Sequence, residues 1–492
     1  MGIAKLYSQS GSGGKINGII EDYYVYAGEK VSAGDFVEFI NGVASQKTET
    51  SVDTAIKDTG ASTAYYISAV ALDDTRVFIA HTIYENSIYV LYGVVCIING
   101  ASIIVGTDTL INDRRNCQYP ISTMLLQDGR VFVTHTGSNT ANGSGYSFLW
   151  GVLCEVSNNV ISVNQKQILV NDTVYSNSSK VLPNGSVFIA HRYGTSNYIY
   201  GMIVEISGTT ITTKTDTQLY GGSNQSATEL STVLLDKERV FIINGYSSNY
   251  RLYGMICTIN GTTLTAGTNT SLISTNYSGR ALSSDKIDTN KVFISHEYDS
   301  GLYGIVCSVS DTTITKGTDT RIFNYVSTVS STLTLATNRV LIVGINNTTD
   351  YKMFGVICDI ENNTITRNTP TIMNPNSYTG SRTSPVLLRN NVFIAHSYNS
   401  VDKLYAQMFG IDKINNTPTN NVTIKDYETQ VRKATTSDIY GVTKSSGVGG
   451  DETGHKDIIR VYQPYPEKRF VMADGNTLVT SNGDVFLLKE AI

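Results

Sequence analysis

The sequence predicts an all-β fold built from repeats, and three observations carry that reading. One phrase, KVFISHEYDSGLYGIVCSVSDTTITKGTDT from Lys291 to Thr320, recurs in variant form from Arg76, Arg130, Ser186, Arg239, Arg339 and Asn391. Each copy offers an apolar strand, a polar loop bearing Tyr, a Gly-containing apolar strand and a Thr-rich strand. Two ladders run through the copies. The first reads His81, His135, His191, Asn244, His296, Gly344 and His396. The second reads Gly93, Gly151, Gly201, Gly254, Gly304, Gly355 and Ala406, followed three places on by Cys96, Cys154, Val204, Cys257, Cys307, Cys358 and Phe409. A period of roughly 50 residues with about four strands per unit belongs to propellers, because helical solenoids have shorter units and 3.6-residue periodicity. The expected architecture is a seven-bladed β-propeller of four-stranded blades over 43–420, closed by an N-terminal strand, with a β module and linker at 1–42 and a β module at 421–492.

In chain order, Ser8 to Gly14 is a Ser/Gly linker, and Gly34-Asp-Phe-Val-Glu-Phe-Ile-Asn-Gly after it has the Gly-bounded apolar character of a small β module. Residues 44–56 then resemble the fourth strand of the later repeats, yet they precede any first strand. The last repeat shows the converse: it reaches its third strand at 404–411 and breaks at Asn415-Asn-Thr-Pro-Thr-Asn-Asn, where Pro418 disfavours a regular fourth strand. The N-terminal strand is therefore expected to complete the seventh blade and pair an otherwise open edge.

Within a repeat, Leu126-Gln-Asp-Gly-Arg or Leu182-Pro-Asn-Gly-Ser makes a tight turn between strands one and two, and Asn260-Gly-Thr-Thr one between strands three and four. That rim is short. The connections from strand two to three, and from strand four to the next repeat, fall on the opposite rim and vary in length, shortest between His296 and Gly304 and longest between His135 and Gly151. Variable loops on a rigid scaffold are where binding is usually placed.

On that rim Tyr84, Tyr193, Tyr246, Tyr298 and Tyr398 follow the first ladder, and Tyr146 and Tyr351 lie in the two remaining loops. Tyr presents an apolar face and a hydroxyl, suited to stacking on a sugar or a protein patch; packing between adjacent loops is the competing reading. The His ladder reads as structural, each imidazole bonding a neighbouring strand end. Five of the six cysteines occupy equivalent places in different repeats, too far apart to bridge, and are expected to be reduced and buried. Cys117, in a loop, is the candidate reactive thiol.

The chain has 492 residues, 41% hydrophobic and 16% charged, enough for a large core. A net charge of -5 without a basic run argues against a nucleic-acid partner. The longest apolar runs are too short for a span of about 20 residues, and MGIAKL lacks the apolar core of a signal peptide, so neither membrane insertion nor secretion is expected. No enzyme, cofactor or metal is expected. The loop carboxylates Glu85, Asp113, Asp172, Glu229, Glu297, Asp299, Asp350 and Asp402 show no pairing in the sequence, and nucleophile-elbow, zinc-protease, phosphate-loop and sialidase-box motifs are absent.

The terminal segments carry a resemblance. Residues 439–450, IYGVTKSSGVGG, leading to Ile459-Arg-Val-Tyr, with residues 27–37, AGEKVSAGDFV, resemble the small β modules of phage tail fibres and of phage-tail-like bacteriocin particles. The propeller is similar to those of some phage tail or baseplate proteins of Gram-positive hosts. The resemblance implies a virion or tail-like particle component assembled in the bacterial cytoplasm, non-enzymatic and receptor-binding. Its partners would be a host surface glycan or protein and other tail or baseplate proteins, with the end modules attaching or forming a homo-oligomer. The alternatives are a purely structural baseplate or decoration protein and, third, a polysaccharide depolymerase.

Overall fold

In the computed structural model the described residues are 47–424, apart from parts of the connecting loops (58–63, 86–87, 114–116, 118–119, 139–146, 195–197, 222–226, 247–250, 275–281, 299–300, 325–326, 347–351, 376–381, 390, 399–402 and 413–416), together with short strands before residue 40 and after residue 429. The chain divides into two units, 49–422 and the paired ends 1–48 with 423–492.

The larger unit is a seven-bladed β-propeller, as the repeats predict. Blade 5 shows the plan: Ser283–Asp288, Lys291–Tyr298 and Gly301–Ser310 pair antiparallel in order. The fourth position is filled by two short strands, Thr313–Lys316 and Thr320–Phe323, which pair with successive halves of the third. They are parted by Gly317-Thr318-Asp319. Blades 1, 3, 4 and 6 repeat this split, whereas blade 2 has one continuous outer strand, Val160–Val170.

Blade 7 closes the ring by using the same break as its seam. The third strand, Lys403–Asp412, pairs at one end with Thr417–Thr419 and at the other with Thr54–Lys57 from the start of the chain. Pro418 does not prevent the short strand it was expected to disfavour. It lies opposite Ile411 on the outermost strand, where its missing N–H need not feed a further ladder.

The second strands form the deepest layer. Phe78, Phe132, Phe188, Phe241, Phe293 and Phe393 are fully buried there, and the apolar side chains between them pack across successive blade pairs. Unalternating apolar runs suit strands covered on both faces. Four members of the Gly ladder face these rings: a Cβ on Gly304 would stand 2.6 Å from Cζ of Phe293, and one on Gly254 2.5 Å from Phe241, while Gly93 and Gly151 face Phe78 and Phe132; Gly201 and Gly355 are crowded instead by Leu219 and Met373. Turns between third and fourth strands place Asn158, Asn159, Asn362, Asn363, Gly100, Gly208 and Gly261 at positive φ, the conformation that tight hairpins require.

In the smaller unit, strands from both ends of the chain share one closed barrel. Gly18–Val25 pairs antiparallel with Ile458–Pro464 and parallel with Gln430–Lys433, while Phe36–Phe39 and Gly441–Thr443 complete the circuit. The segments read from the sequence as separate modules thus supply one sheet.

Candidate functional site

The His ladder resolves into a ladder of pairs. Nε2 of His81, His191, His296 and His396 lies 2.9, 3.0, 3.0 and 2.9 Å from a carboxylate oxygen of Asp108, Asp216, Asp319 and Asp53. Each imidazole is fully buried, and each Asp sits at the break in the outer strand of the same blade. The expected partner was a neighbouring strand end; the actual one lies across the third strand. The third-strand Tyr stacks on the imidazole, with ring centroids 6.0 to 6.2 Å apart for Tyr92, Tyr200, Tyr303 and Tyr405. Burial alone would raise the Asp108 carboxyl, but His81 and the Lys57 ammonium, 2.7 Å away, outweigh it and hold the carboxyl below its usual range.

Where the ladder breaks, its partner breaks too. Blade 4 pairs Asn244 with Asn269 through a long 3.5 Å contact, and blade 6 sets Gly344 against a break occupied by Pro370. In blade 2 the Asp place is taken by Lys166 within the continuous strand, and His135 turns elsewhere: Asn112 of blade 1 meets Nε2 at 2.8 Å, and Nδ1 meets the Thr136 carbonyl at 2.9 Å. Burial pushes His135 down to about 4, the carbonyl bond opposing only in part.

The tyrosines named from the sequence separate into groups. Tyr193 donates its hydroxyl to Asp216 at 2.7 Å and packs edge-on against His191 and Tyr200; burial first, and Asp216 next, push that hydroxyl's pKa up. Tyr298 packs edge-on against Tyr303 and borders the core between blades 4 and 5. Tyr84 is exposed, its ring 4.7 Å from Tyr89. Tyr246 and Tyr398 end second strands in register with Arg251 and Lys403, and their side chains lie outside the described residues, as do Tyr146 and Tyr351 entirely.

Of the loop carboxylates, Asp113 pairs with Lys166, Asp172 accepts the Thr173 N–H, Glu229 accepts the Leu282 N–H and Glu297 is buried. Asp299, Asp350, Asp402 and the Glu85 side chain lie outside the described residues. Among the described residues no three His, Cys, Asp or Glu converge as metal ligands would. Cys117 corrects an expectation: it is 1% exposed within the core between blades 1 and 2, and burial pushes its thiol well up.

Sequence reading missed the innermost strands. Ser68, Ser122, Ser178, Ser231, Ser283, Ser331 and Ser384 share one register, each opposite the residue preceding the His ladder. These serines join each blade to the next around the axis. Oγ of Ser68, Ser122, Ser178, Ser283 and Ser384 accepts the N–H of Thr123, Ser179, Thr232, Thr332 and Ala69 at 2.9 to 3.3 Å. Ser231 meets the Ser284 hydroxyl instead. At the junction of blades 6 and 7 the equivalent acceptor would face Pro385, which has no N–H, so Ser331 donates to the Thr383 carbonyl at 2.7 Å.

Beside this ring, at the long-loop end of the axis, a cavity of about 110 Å³ opens between Tyr66 and Ile67 of blade 1, Pro120 and Ile121 entering blade 2, Ser330 and Ser331 of blade 6, and Arg382 and Thr383 of blade 7. The Arg382 guanidinium lies over the Tyr66 ring, 5.3 Å from its centroid. Neither residue belongs to a repeated ladder; the sole signal was an aromatic and a cation at strand openings where the other repeats carry Pro, Ser, Glu, Ala and Val.

No protein-family model matches the chain, and no curated protein sequence matches it. Solved structures to which the chain is similar include an ulvan lyase described as a new family of polysaccharide lyase (9% identity, 78% of this chain and 99% of that one, TM-score 0.46). The periplasmic gluconolactonase of Pseudomonas aeruginosa is similar at 10% identity, over 82% of this chain and 100% of that one, with a TM-score of 0.46. A Dyadobacter fermentans protein of unknown function is similar at 12% identity, over 74% and 99%, with a TM-score of 0.45.

Proposed function

We propose that this chain is a non-enzymatic recognition protein of a phage tail or phage-tail-like particle, contacting a host surface glycan or protein through the long-loop rim of its propeller. The observation that carries the reading is the axial mouth. An aromatic face, a guanidinium and hydroxyls meet there, and the eight lining residues include no thiol, imidazole or carboxylate. That set of groups suits recognition, and the imidazole, thiol and carboxylate groups most used for general acid–base turnover are missing from it. The His–Asp pairs offer no substitute, because each imidazole is fully buried and bonded within its own blade.

The test is binding of the labelled, full-length chain to a panel of intact bacterial strains, with reducing ends measured in parallel and particles from a producing culture probed for the chain. Saturable binding to some strains, no release of sugar ends and presence of the chain in particles are expected. Presence in particles without cell binding would support the structural decoration role instead, and steady release of sugar ends would support a depolymerase.

A further inference from the structure

We infer that the axial mouth is an oxyanion site: Arg382, laid over Tyr66 and flanked by Ser331 and Thr383, takes the negative charge of a carboxylate or phosphodiester carried on a polyhydroxylated surface polymer. The inference rests on the reading of the long-loop rim as a recognition face and names the chemistry of what that face takes.

Charge pairing is the first sign. On the tight-turn rim Arg76, Arg130, Arg239, Arg339 and Arg389 each sit on an aspartate, Asp73, Asp128, Asp236, Asp359 and Asp74 respectively. Arg382 has no carboxylate partner among the described residues, and the cavity it borders contains none. A chain with a net charge of -5 has placed a cation at its axis with no counter-charge beside it among the described residues.

The second is geometry. The Arg382 guanidinium sits over the Tyr66 ring, 5.3 Å from its centroid, and a planar guanidinium presents N–H groups in a fork that carboxylate and phosphate both match. Hydroxyls supply the rest. Ser331 and Thr383 already share a bond of 2.9 Å, and each hydroxyl retains acceptor lone pairs able to receive a ligand O–H. The third is size. The cavity, about 110 Å³, is below the ~150 Å³ of an enclosed cavity that accommodates benzene, so its interior matches a charged substituent while the rest of a sugar chain would lie across its open mouth. Selectivity therefore rests on the charged group.

Calorimetric titration of the full-length chain with three probes tests this: a glucuronic acid trisaccharide, a glycerol phosphate trimer and a neutral glucose trisaccharide. Binding of one or both anionic probes, weakening as salt is raised, with none of the neutral one, is expected. The acid alone would assign a carboxylate, the phosphate alone a phosphodiester, and both the shared oxyanion chemistry. Arg382→Gln should weaken the anionic probe by at least roughly tenfold, the loss of a charge-assisted bond pair, while Arg382→Lys keeps the charge without the fork and should fall between. Unchanged thermal unfolding of both variants guards against misfolding.

Equal binding of the neutral probe, binding untouched by Arg382→Gln in a folded variant, or no binding of any probe would overturn the inference. The adhesion reading is separable. Cells that bind wild type and Arg382→Gln equally would sink the oxyanion site while leaving adhesion standing, and wild type that binds no cells would sink adhesion itself.

Discussion

His396 and Asp53 are separated by 343 residues in the chain and by 2.9 Å in space, and this contact fastens the first propeller strand to the last blade. Asp53→Ala would leave a fully buried imidazole nitrogen facing no carboxylate, at a cost of about 1–3 kcal/mol. A similar loss is expected from Asp216→Ala, where His191 is the stranded group. Only the first acts at the seam, so limited proteolysis should cut the Asp53→Ala protein near residue 57 sooner than the Asp216→Ala protein. Equal cutting would show that the seam depends on other contacts.

His135 makes stability depend on acidity. Its folded pKa, about 4, lies below the ordinary imidazole value of 6.5, because burial disfavours the imidazolium. The unfolded chain therefore takes up the proton first as pH falls, so this contribution is complete above about 6.5 and is lost progressively down to about 4. The full loss amounts to about 3 kcal/mol. Thermal unfolding of wild type and His135→Gln across this window checks it: the gap between them should narrow as pH falls. A constant gap would show that Asn112 and the Thr136 carbonyl hold some other state of the ring.

Blade 4 offers a test of the paired ladder. Asn244→His alone sets an imidazole against an amide, and Asn269→Asp alone sets a carboxylate against one; together they rebuild the pair found in blades 1, 3, 5 and 7. A double-mutant cycle in urea should show favourable coupling of about 0.5–3 kcal/mol. Additivity within about 0.5 kcal/mol would count against the pairing rule.

The six cysteines should be silent in the native state. All are buried, and burial pushes Cys96, Cys154, Cys257, Cys307 and Cys358 up to about 12 and Cys117 in the same direction. Thiolate is the reactive form, so a thiol reagent at pH 8 should label the folded protein negligibly and all six positions in denaturant. Rapid native labelling at Cys117 would show that its loop opens.

The repeats were legible because each blade meets the same packing demand in the same way. Gly304 is small because Phe293 lies against it, Gly254 because Phe241 does and Gly201 because Leu219 does, so a ladder of glycines marks a repeated close approach of a large side chain. The His ladder was half legible: the imidazoles were visible as a series, but Asp108, Asp216 and Asp319 follow at a distance and read as ordinary turn residues until the outer strand folds back. Asp53 was harder still, since it precedes its His. The serines escaped because the connections before the first strands vary in length and hide their register. Cys117 was misread because its side chain is buried in the core between two blades. Tyr66 and Arg382 had no ladder to announce them, and sites built from departures within a repeat leave no periodic trace.

The serine ring has a consequence for how such a chain can change. Because most junctions pair the same hydroxyl with the same main-chain group, neighbouring blades are nearly interchangeable parts, and a duplicated repeat would meet a familiar surface on either side. Two junctions depart. Ser231 meets the Ser284 hydroxyl between blades 4 and 5, whereas Pro385 removes the main-chain donor altogether at the boundary of blades 6 and 7 and obliges Ser331 to find another partner, so that boundary cannot be copied elsewhere in the ring without altering its bonding. The chain thereby carries a marker of order in an otherwise permutable circle, next to the seam where its two ends meet.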